Sequence, residues 1–299
     1  MRLSSITHLL RCLCLPILIL IGGQSAVAAP AQVLYPRPET AGDPRTDYPV
    51  TLLRLALAKS GGQFALQPTR ETMLQGRALS ELATGSGSPR VVWSMTSRER
   101  EKALLPIRIP IYKGLIGWRI PLIHKQNPDL LKEVNTVDGL KTLRTAQGHD
   151  WPDTDILRAA QLNVSGVVGY ESLFSMLHTQ RIDYFPRSLA EIWAEVKNHS
   201  AKDIAIDTHV VIHYDTAFYY FVNNQDTALA QAIERGLEAA IADGSFDRLF
   251  YQNYANLIKR AELDKRVVIE LPNPLLPPET PLGRKELWFR PAKTTNAGK

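Results

Sequence analysis

The sequence predicts an α/β protein of two lobes, each built on a mostly parallel sheet. Three observations predict this fold class. Short β-rich runs alternate with amphipathic helical patterns, an order typical of parallel sheets that carry helices on both faces. The same alternation begins again after Gly139, and a long β-branched and aromatic run followed by two helical patterns closes the chain. We therefore expect the second lobe to be inserted into the first.

The first half of the chain predicts the order βαβαβ. Its strand-like runs are AQVLY from Ala31, FALQ from Phe64 and RVVW from Arg90. Helices are expected near residues 48–60 and 71–84. In the first of these, apolar residues such as Leu53 and Leu57 recur at helical spacing, and the SGG run from Ser60 ends the helix.

The second half repeats this order and then changes. Its predicted strands are KTLRTA (141–146), NVSGVVG (163–169) and IDYF (182–185), and its predicted helices cover about 153–161, 171–180 and 189–198. The run HVVIHYDTAFYYFVNN from His209 and two helices, at 226–242 and 245–258, are expected to return to the first lobe. From Leu271 the chain is proline-rich, which predicts an extended segment that either wraps the surface or is flexible.

The N-terminus has the pattern of a cleaved secretory signal. Arg2 and Arg11 flank a polar start, an apolar run follows from Cys12, and small residues end at Ala28. Because Pro16 interrupts the apolar run, it is too short for a membrane anchor of about 20 residues. We expect cleavage near Ala28, with residues 1–28 removed and the mature protein soluble in the periplasm.

Charge and cysteine content exclude several classes of function. Both cysteines, Cys12 and Cys14, fall in the predicted signal, so the mature chain offers no disulfide, thiolate metal site or cysteine nucleophile. Neither follows a lipobox. Without residues 1–28, which hold two arginines and no acid, the formal charge of +5 becomes 33 − 30, or +3. With no basic block interleaved with aromatics, we expect no nucleic-acid partner.

Four stretches resemble the bacterial periplasmic type II solute-binding proteins, in particular the amino-acid-binding class of ABC importers. They are MTSRERE from Met95, LLPIRIPIYKG from Leu104, ESLFSMLHTQRIDYF from Glu171 and DTALAQAIERGLEAAIADGSFDRLFYQNY from Asp226. They occur in the family's order, and the resemblance covers residues 32–254.

The resemblance implies a periplasmic-binding-protein-like II clamshell that captures a small carboxylate-bearing, amino-acid-like solute. Lobe 1 would comprise residues 29–117 and 208–260, lobe 2 residues 118–207, and a C-terminal tail residues 261–299. Two strand crossings would form the hinge. We expect a monomer without a cofactor that delivers its ligand to an inner-membrane ABC permease or to a membrane sensor; the sequence does not separate these two roles.

Arg119 is the first candidate ligand contact. Strand alternation places Leu115, Gly117 and Arg119 on one face, so that Arg119 can point into a cleft. The resemblance implies that its guanidinium clamps the ligand α-carboxylate, a role that suits a planar fork of donors. The alternative is an arginine at a strand edge that pairs with a local glutamate or is solvated.

Arg187 marks a departure from the resemblance. The amino-acid binders usually place an aspartate near this position to neutralise the ligand ammonium, whereas this chain has Arg187 and Ser188. Either the ligand is not a plain α-amino acid, or another acid such as Asp150 or Asp153 meets the ammonium. The alternative for this segment is helix-start chemistry, with Ser188 as N-cap and Glu191 completing a capping box.

The junction QGHDWPDT, at residues 147–154, would present backbone N–H groups to the ligand in the family. Here it carries His149, Asp150 and Trp151, which predicts a smaller or unusual pocket with Trp151 as a stacking wall. The alternative is that Trp151 packs under the turn while Asp153 caps the following helix.

On lobe 1, further candidate contacts follow two strands of the predicted sheet. Ligands of open α/β sheets bind beyond the carboxyl ends of the strands. The candidates there are Tyr35, Arg37, Trp93 and Thr96. An aromatic residue at such a position is also compatible with simple core packing.

Catalytic and metal motifs are weak. His209 and His213 are four residues apart, but the β-branched residues between them predict a strand, where this spacing is too long for easy chelation. The remaining enzyme hypothesis is a dehydratase-like activity that uses His149 with Asp150. We expect a binding protein, and enzyme is the alternative.

Overall fold

The structure is a computed structural model that describes residues 29–38 and 44–291. The predicted signal peptide, with Cys12 and Cys14, lies outside the described residues. Within the described ranges, no helix is long and apolar enough to cross a membrane.

The first lobe is built on two small sheets. Its elements before the first crossing are β1 (Ala31–Arg37), α1 (Pro44–Lys59), β2 (Phe64–Thr72), α2 (Gln75–Thr84), β3 (Val92–Met95), α3 (Arg98–Ala103) and β4 (Leu105–Ile107). β1 and β2 pair in parallel, and the backbone N–H groups of Arg90 and Val91 donate to the carbonyl of Leu34, which joins this pair to β3. β2 continues to Thr72, beyond the predicted strand FALQ. As a result α2 begins at Gln75, four residues later than the predicted helix.

The second lobe contains one large sheet. Its elements are β5 (Trp118–His124), α4 (Val137–Lys141), β6 (Arg144–Gly148), α5 (Pro152–Ala159), β7 (Asn163–Val167), α6 (Tyr170–His178), β8 (Tyr184–Ser188), α7 (Ile192–Asn198) and β9 (Ile204–Ile206). β6 pairs in parallel with β7 and β8, while β5 is antiparallel to β8 and β9. β5 is buried along its whole length, which explains its nearly continuous apolar sequence.

Two of the remaining strands join the second-lobe sheet, and the rest of the chain returns to the first lobe. The closing elements are β10 (Val210–His213), β11 (Phe218–Val222), α8 (Thr227–Ala242), α9 (Ser245–Ala261) and β12 (Val267–Glu270). β11 lies between β3 and β4 and is antiparallel to both. In α8 the buried Leu229, Ile233 and Leu237 recur at helical spacing and form its apolar face.

The predicted two-lobed α/β clamshell is confirmed, but its strand directions are mixed rather than mostly parallel. The chain enters the second lobe on β5 and leaves on β10, and these two strands pair antiparallel because they run in opposite directions between the lobes. The predicted boundary at 207/208 assigns β10 to lobe 1, whereas strand pairing places it in the second-lobe sheet. The domain boundaries themselves stay predictions.

The C-terminal segment is packed rather than a simple tail. β12 pairs in parallel with β10, and Leu271, Leu287 and Trp288 are buried. Beyond β12 the segment follows the first lobe, where the backbone N–H of Arg98 donates to the carbonyl of Leu275 at 3.2 Å. Of the two expected behaviours, the structure shows a segment that wraps the surface as far as residue 291.

Candidate functional site

A cavity of about 180 Å³ lies between the two lobes. Arg37, Gln75 and Trp93 border it from the first lobe, and Asp150, Trp151 and Glu191 border it from the second. It sits beyond the carboxyl ends of β1 and β6, the usual position of ligands in open α/β sheets, and Trp93 borders it from the first half of β3. Its size is below the roughly 300–1,000 Å³ of pockets that hold drug-sized molecules, so it fits a small solute.

Aromatic rings form much of the cavity wall. Trp93 packs against Tyr35 with ring centroids 5.8 Å apart, and behind it Tyr220 meets its edge at 6.5 Å. From the other lobe, Trp151 lies over the guanidinium of Arg187 at 5.1 Å. The contacts behind Trp93 and Trp151 hold both rings in place, so they offer firm apolar faces to a solute.

Asp150 connects the two lobes across the cavity. One oxygen of its carboxylate, Oδ2, accepts the backbone N–H of Gly76 at 2.9 Å, and its backbone carbonyl accepts Nη2 of Arg100 at 2.8 Å. Gly76 lies in the first turn of α2, which has no side-chain cap. The carboxylate therefore satisfies a helix N–H that the helix itself leaves free.

Arg100 is a cation behind this contact that no carboxylate neutralises at close range. Its guanidinium donates to Ser94 Oγ at 2.5 Å, to the Met95 carbonyl at 2.8 Å and to Gln75 Oε1 at 3.1 Å. Within the part of the chain that the structure describes, no acidic oxygen lies within ion-pair distance of it. Burial lowers the pKa of Arg100 to about 10, although Asp150 opposes this shift. The first lobe thus holds a fixed guanidinium that has no ion-pair partner among residues 29–38 and 44–291.

A buried charge network backs the second-lobe wall. Arg187 donates from Nε and Nη2 to Glu195, with contacts of 2.5 to 3.0 Å, and from Nη2 to Glu191 at 3.0 Å. The hydroxyl of Tyr170 donates to Glu195 Oε1 at 2.8 Å. Burial raises the pKa of Glu191 despite the nearby Arg187. For Glu195 the attraction of Arg187 outweighs burial, and its pKa is lowered. Of the two acids, Glu191 is the one that borders the cavity.

Arg119 lies in a second part of this network. Its Nη2 is 2.5 Å from Asp153 Oδ1, and its Nη1 is 3.9 Å from Glu191 Oε2. Tyr214 donates its hydroxyl to the same Asp153 oxygen. Burial alone would lower the pKa of Arg119, but Asp153, Tyr214 and Glu191 together outweigh burial and raise it.

The predicted clamp by Arg119 stays a prediction, and the geometry does not favour it. The guanidinium is 3% exposed, does not border the cavity and already has a carboxylate partner. Residues 115–117 form a 3-10 turn, so strand alternation begins only at Trp118 and does not continue from Leu115. Asp153 and Glu191, the acids that contact Arg119, lie far from it in the sequence. The sequence alone therefore does not show these ion pairs.

The eight predicted contact residues divide into two groups. Four border the cavity: Arg37, Trp93, Asp150 and Trp151. Four do not: Tyr35, Thr96, Arg119 and Arg187. Tyr35 supports Trp93 from behind, Thr96 is buried and donates to Glu101 Oε1 at 2.5 Å, and Arg187 is 2% exposed within its acid cluster. Each ligand contact stays a prediction.

The capping alternatives are corrected by the structure. α7 begins at Ile192, and Ser188 Oγ instead accepts the N–H of Ala190 at 3.1 Å, so Ser188 and Glu191 form no capping box. α5 begins at Pro152 without a side-chain cap. Asp153 is not its cap, because the carboxylate is drawn to the buried Arg119.

The proposed catalytic pair is not assembled. His149 Nδ1 is 4.0 Å from Asp150 Oδ1, which is beyond a hydrogen bond, and the other oxygen of Asp150 is held by Gly76. His149 is about half exposed, with 54% of its side chain accessible. This arrangement gives the enzyme alternative no prepared general base.

One cluster outside the cavity has metal-ligand chemistry. His124, His178 and Asp203 offer atoms that all lie within 4.8 Å of one another. However, Nδ1 of His124 accepts the N–H of Gln126 at 3.2 Å, and Nδ1 of His178 accepts the N–H of Asp203 at 3.1 Å. A neutral imidazole that accepts at Nδ1 carries its proton on Nε2, so neither ring presents a second free lone pair to an ion.

The sequence analysis missed Arg100 and Glu191 as residues of this region. Arg100 lies within the MTSRERE stretch, just beyond the carboxyl end of β3, which is the signal that could have identified it. Glu191 carries the same signal, because it lies in the loop just beyond the carboxyl end of β8, but it was interpreted only as part of a capping box.

Comparisons with known proteins place the fold. No family model matches the sequence, and no curated protein matches it significantly. Among solved structures, the chain is similar to a probable amino-acid ABC transporter extracellular-binding protein of Bacillus subtilis, with a TM-score of 0.57 and 18% identity over 75% of this chain and 97% of the other. It is also similar to a periplasmic binding protein of Salmonella typhimurium with high arginine specificity. The TM-score is 0.57, with 14% identity over 75% of this chain and 99% of the other. An ancestral arginine-binding protein is similar as well, with a TM-score of 0.56 and 17% identity over 75% of this chain and 97% of the other.

These structures share the two-lobed fold over almost their whole length. The fold that the sequence resemblance implied, that of the type II periplasmic binding proteins, is therefore the fold of this chain.

Proposed function

We propose that this protein captures a small, polar, carboxylate-bearing solute outside the cytoplasm by closing its lobes around it. The observation that carries this proposal is the cavity between the lobes, with the guanidinium of Arg100 directly behind it. Among the described residues, no acid forms an ion pair with this guanidinium. A fixed, poorly hydrated guanidinium binds carboxylates strongly and with defined geometry. The fold, shared with amino-acid binders, supports the same conclusion.

The charges around the cavity favour an amino-acid-like ligand. Arg37 borders it from the first lobe, with Arg100 close behind, and the Glu191 carboxyl borders it from the second. A zwitterion could place its carboxylate toward the first group and its ammonium toward Glu191. Trp93 and Trp151 would contact the carbon skeleton between them.

We further propose that binding, rather than catalysis, is the activity, and that the protein acts as a periplasmic monomer. Its partner would be an inner-membrane ABC permease or a membrane sensor. The predicted signal peptide supports export. Mass spectrometry of the secreted chain should find a mature N-terminus near Ala29, and an intact Met1 in the exported protein would contradict cleavage.

Thermal unfolding in the presence of single solutes tests the proposed capture. A ligand at about 100 times its Kd stabilises the folded protein by about 2.7 kcal/mol, so a panel of L-amino acids and dicarboxylates should contain at least one that raises Tm. Calorimetric titration then gives its affinity. Turnover of any panel compound, lost on His149→Ala, would instead support the enzyme alternative.

The Arg100→Gln variant tests the proposed carboxylate contact. It should weaken binding of the compound found in the panel by about two orders of magnitude, the loss expected for a charge-assisted contact. Arg158→Gln is the matched control, because Arg158 is 54% exposed on α5, away from the cavity. Equal affinity in both variants would contradict the proposed role of Arg100.

A further inference from the structure

Asp150 makes two hydrogen bonds from the second lobe to the first. Its side chain and its backbone each make one contact across the cleft, to the N–H of Gly76 at 2.9 Å and to Nη2 of Arg100 at 2.8 Å. Both partners lie on the first lobe, in α2 and α3. Asp150 therefore connects the two lobes at the edge of the cavity, where Arg45 of the first lobe also lies over the ring of Tyr170 of the second at 4.0 Å.

The receiving side of this contact is suited to an anion. The first turn of α2 has no side-chain cap, so its N–H groups have no intrahelical partner, and the helix dipole favours negative charge there. The carboxylate also fits because residue 76 is glycine. A Cβ at this position would lie 2.7 Å from Asp150 Oδ2, so the carboxylate would have to move away from its present position.

The neighbouring cation is suited to the same charge. Arg100 is held by Ser94, Met95 and Gln75, so its position is fixed before any solute arrives. Its contact with Asp150 is to a neutral carbonyl and not to the carboxylate. The backbone of Asp150 therefore accepts a hydrogen bond from the Arg100 guanidinium, while the Asp150 carboxylate forms no ion pair with it.

We propose that Asp150 is an internal anion that latches the lobes together in the absence of solute, and that a carboxylate-bearing solute must displace it. The second half of this proposal rests on the proposed function. The latch occupies the N-terminus of α2 and covers Arg100, and these are the groups that an incoming carboxylate would use. A latched fraction lowers the apparent affinity in proportion to the fraction of molecules that are free to bind.

Two variants open the latch by different routes. Asp150→Ala removes the carboxylate. Gly76→Ala leaves the charge and the N–H in place but adds a Cβ 2.7 Å from Oδ2, which forces the carboxylate to move and weakens its hydrogen bond. Alanine is favourable in a helix. Asp155→Ala is the matched control, because Asp155 is an acid of the same lobe with 62% of its side chain exposed.

Small-angle X-ray scattering without added solute measures the latch directly. The wild type should fit the closed form, and both latch variants should shift the ratio of open to closed molecules by about tenfold, as expected for the loss of one charge-assisted hydrogen bond. Asp155→Ala should scatter like the wild type. The proposal is overturned if the wild type already scatters as the open form, or if the two latch variants leave the profile unchanged.

Calorimetric titration with L-arginine, L-glutamine and glutarate then tests competition. Release of the latch should tighten binding of a carboxylate probe by up to about tenfold. Weaker binding in both variants would mean that Asp150 contacts the probe, which overturns the displacement. If no variant binds any probe, the displacement half fails together with the proposed function, whereas scattering still decides whether the latch exists. Circular dichroism confirms that each variant is folded.

Discussion

Arg119 and Asp153 form a buried ion pair in which loss of one partner should cost more than loss of both. The two side chains are 3% and 6% exposed, so removing the arginine leaves a buried carboxylate without a counter-charge and with the Tyr214 hydroxyl as its hydrogen-bond donor. We expect Arg119→Met to lower the free energy of unfolding by about 3–5 kcal/mol. The double variant Arg119→Met/Asp153→Leu should lose less. Chemical denaturation of the three proteins gives the values.

The same variants decide whether Arg119 also clamps a ligand. If its role is structural, the double variant should bind the solute found in the panel with nearly the affinity of the wild type. If Arg119 contacts the ligand carboxylate, both variants should lose binding whatever their stability. An additive loss of stability, with no recovery in the double variant, would contradict the buried pair.

Glu195 and Glu191 share Arg187 but should respond differently to neutralisation. The pKa of Glu195 is lowered because Arg187 outweighs burial, so its charge stabilises the fold. The pKa of Glu191 is raised by burial, so its ionised form is disfavoured there. At pH 7 we expect Glu195→Gln to cost about 3 kcal/mol or more, and Glu191→Gln much less. Thermal melts of both variants check the order, and equal losses would contradict it.

The sequence predicts which residues lie near the cavity better than it predicts what each of them contacts. Trp93 and Asp150 follow the ends of β-rich runs, and position alone brings them to the cavity edge. Arg119 also follows a recognisable turn. Its direction depends on Asp153, which reaches it only through the tertiary fold. Sequence spacing carries no information about such pairings.

At the scale of elements, Asp183 joins the start of β6 to the approach of β8. It accepts the backbone N–H of Arg144 at 2.6 Å and the guanidinium of Arg144 at 2.7 Å. These hydrogen bonds lower the pKa of Asp183 below its ordinary value of 3.8. A lowered folded-state pKa means that the stabilisation is fully present above about pH 3.8 and is lost as the pH falls through the lower value.

Asp183→Asn should therefore lower Tm at pH 7, and the difference from wild type should shrink below about pH 3.8. The expected loss in the free energy of unfolding at pH 7 is about 0.5–1 kcal/mol, because Arg144 is half exposed and solvent screens its ion pair with Asp183. Asp138→Asn is the control, since Asp138 pairs with Lys141 at 78% exposure and should change Tm little. A difference that persists unchanged to pH 2.5 would contradict the ion pair.

The sequence predicts helices whose apolar residues recur at helical spacing, but it does not predict which strands pair or in which direction they run. The helices of the closing segment were expected at 226–242 and 245–258 and lie at 227–242 and 245–261. The antiparallel pairing of β5 with β8 and β10 was not expected. A fully buried strand shows the same apolar run whichever direction its neighbours take.

On the scale of the whole molecule, the C-terminal segment links the two lobes on the side of the crossing strands. β12 belongs to the second-lobe sheet, while the residues after it contact the first lobe. Lys113, in the first crossing segment, donates to Asp247 and to the Glu286 carbonyl at 2.5 Å, and its own carbonyl accepts the N–H of Phe289 at 2.7 Å. The proline-rich composition indicated an extended segment but not this attachment.

Trp288 is the anchor by which this attachment can be tested. It is 6% exposed, its Nε1 donates to the Pro281 carbonyl at 2.9 Å, and its ring fills the space beside Gly114, where a Cβ would lie 2.5 Å from it. We expect Trp288→Ala to lower the free energy of unfolding by about 3–5 kcal/mol, the usual cost of a large cavity in a packed core. Chemical denaturation measures this loss.

The control for Trp288 is Leu282→Ala in the same segment. Leu282 is 40% exposed, so its truncation should change stability by less than about 0.5 kcal/mol. Because the segment contacts both lobes, Trp288→Ala should also make hydrogen exchange faster in the β12 and β10 backbone, and not only around Gly114. Faster exchange confined to the first lobe would show that the segment is fastened to one lobe and does not link the two.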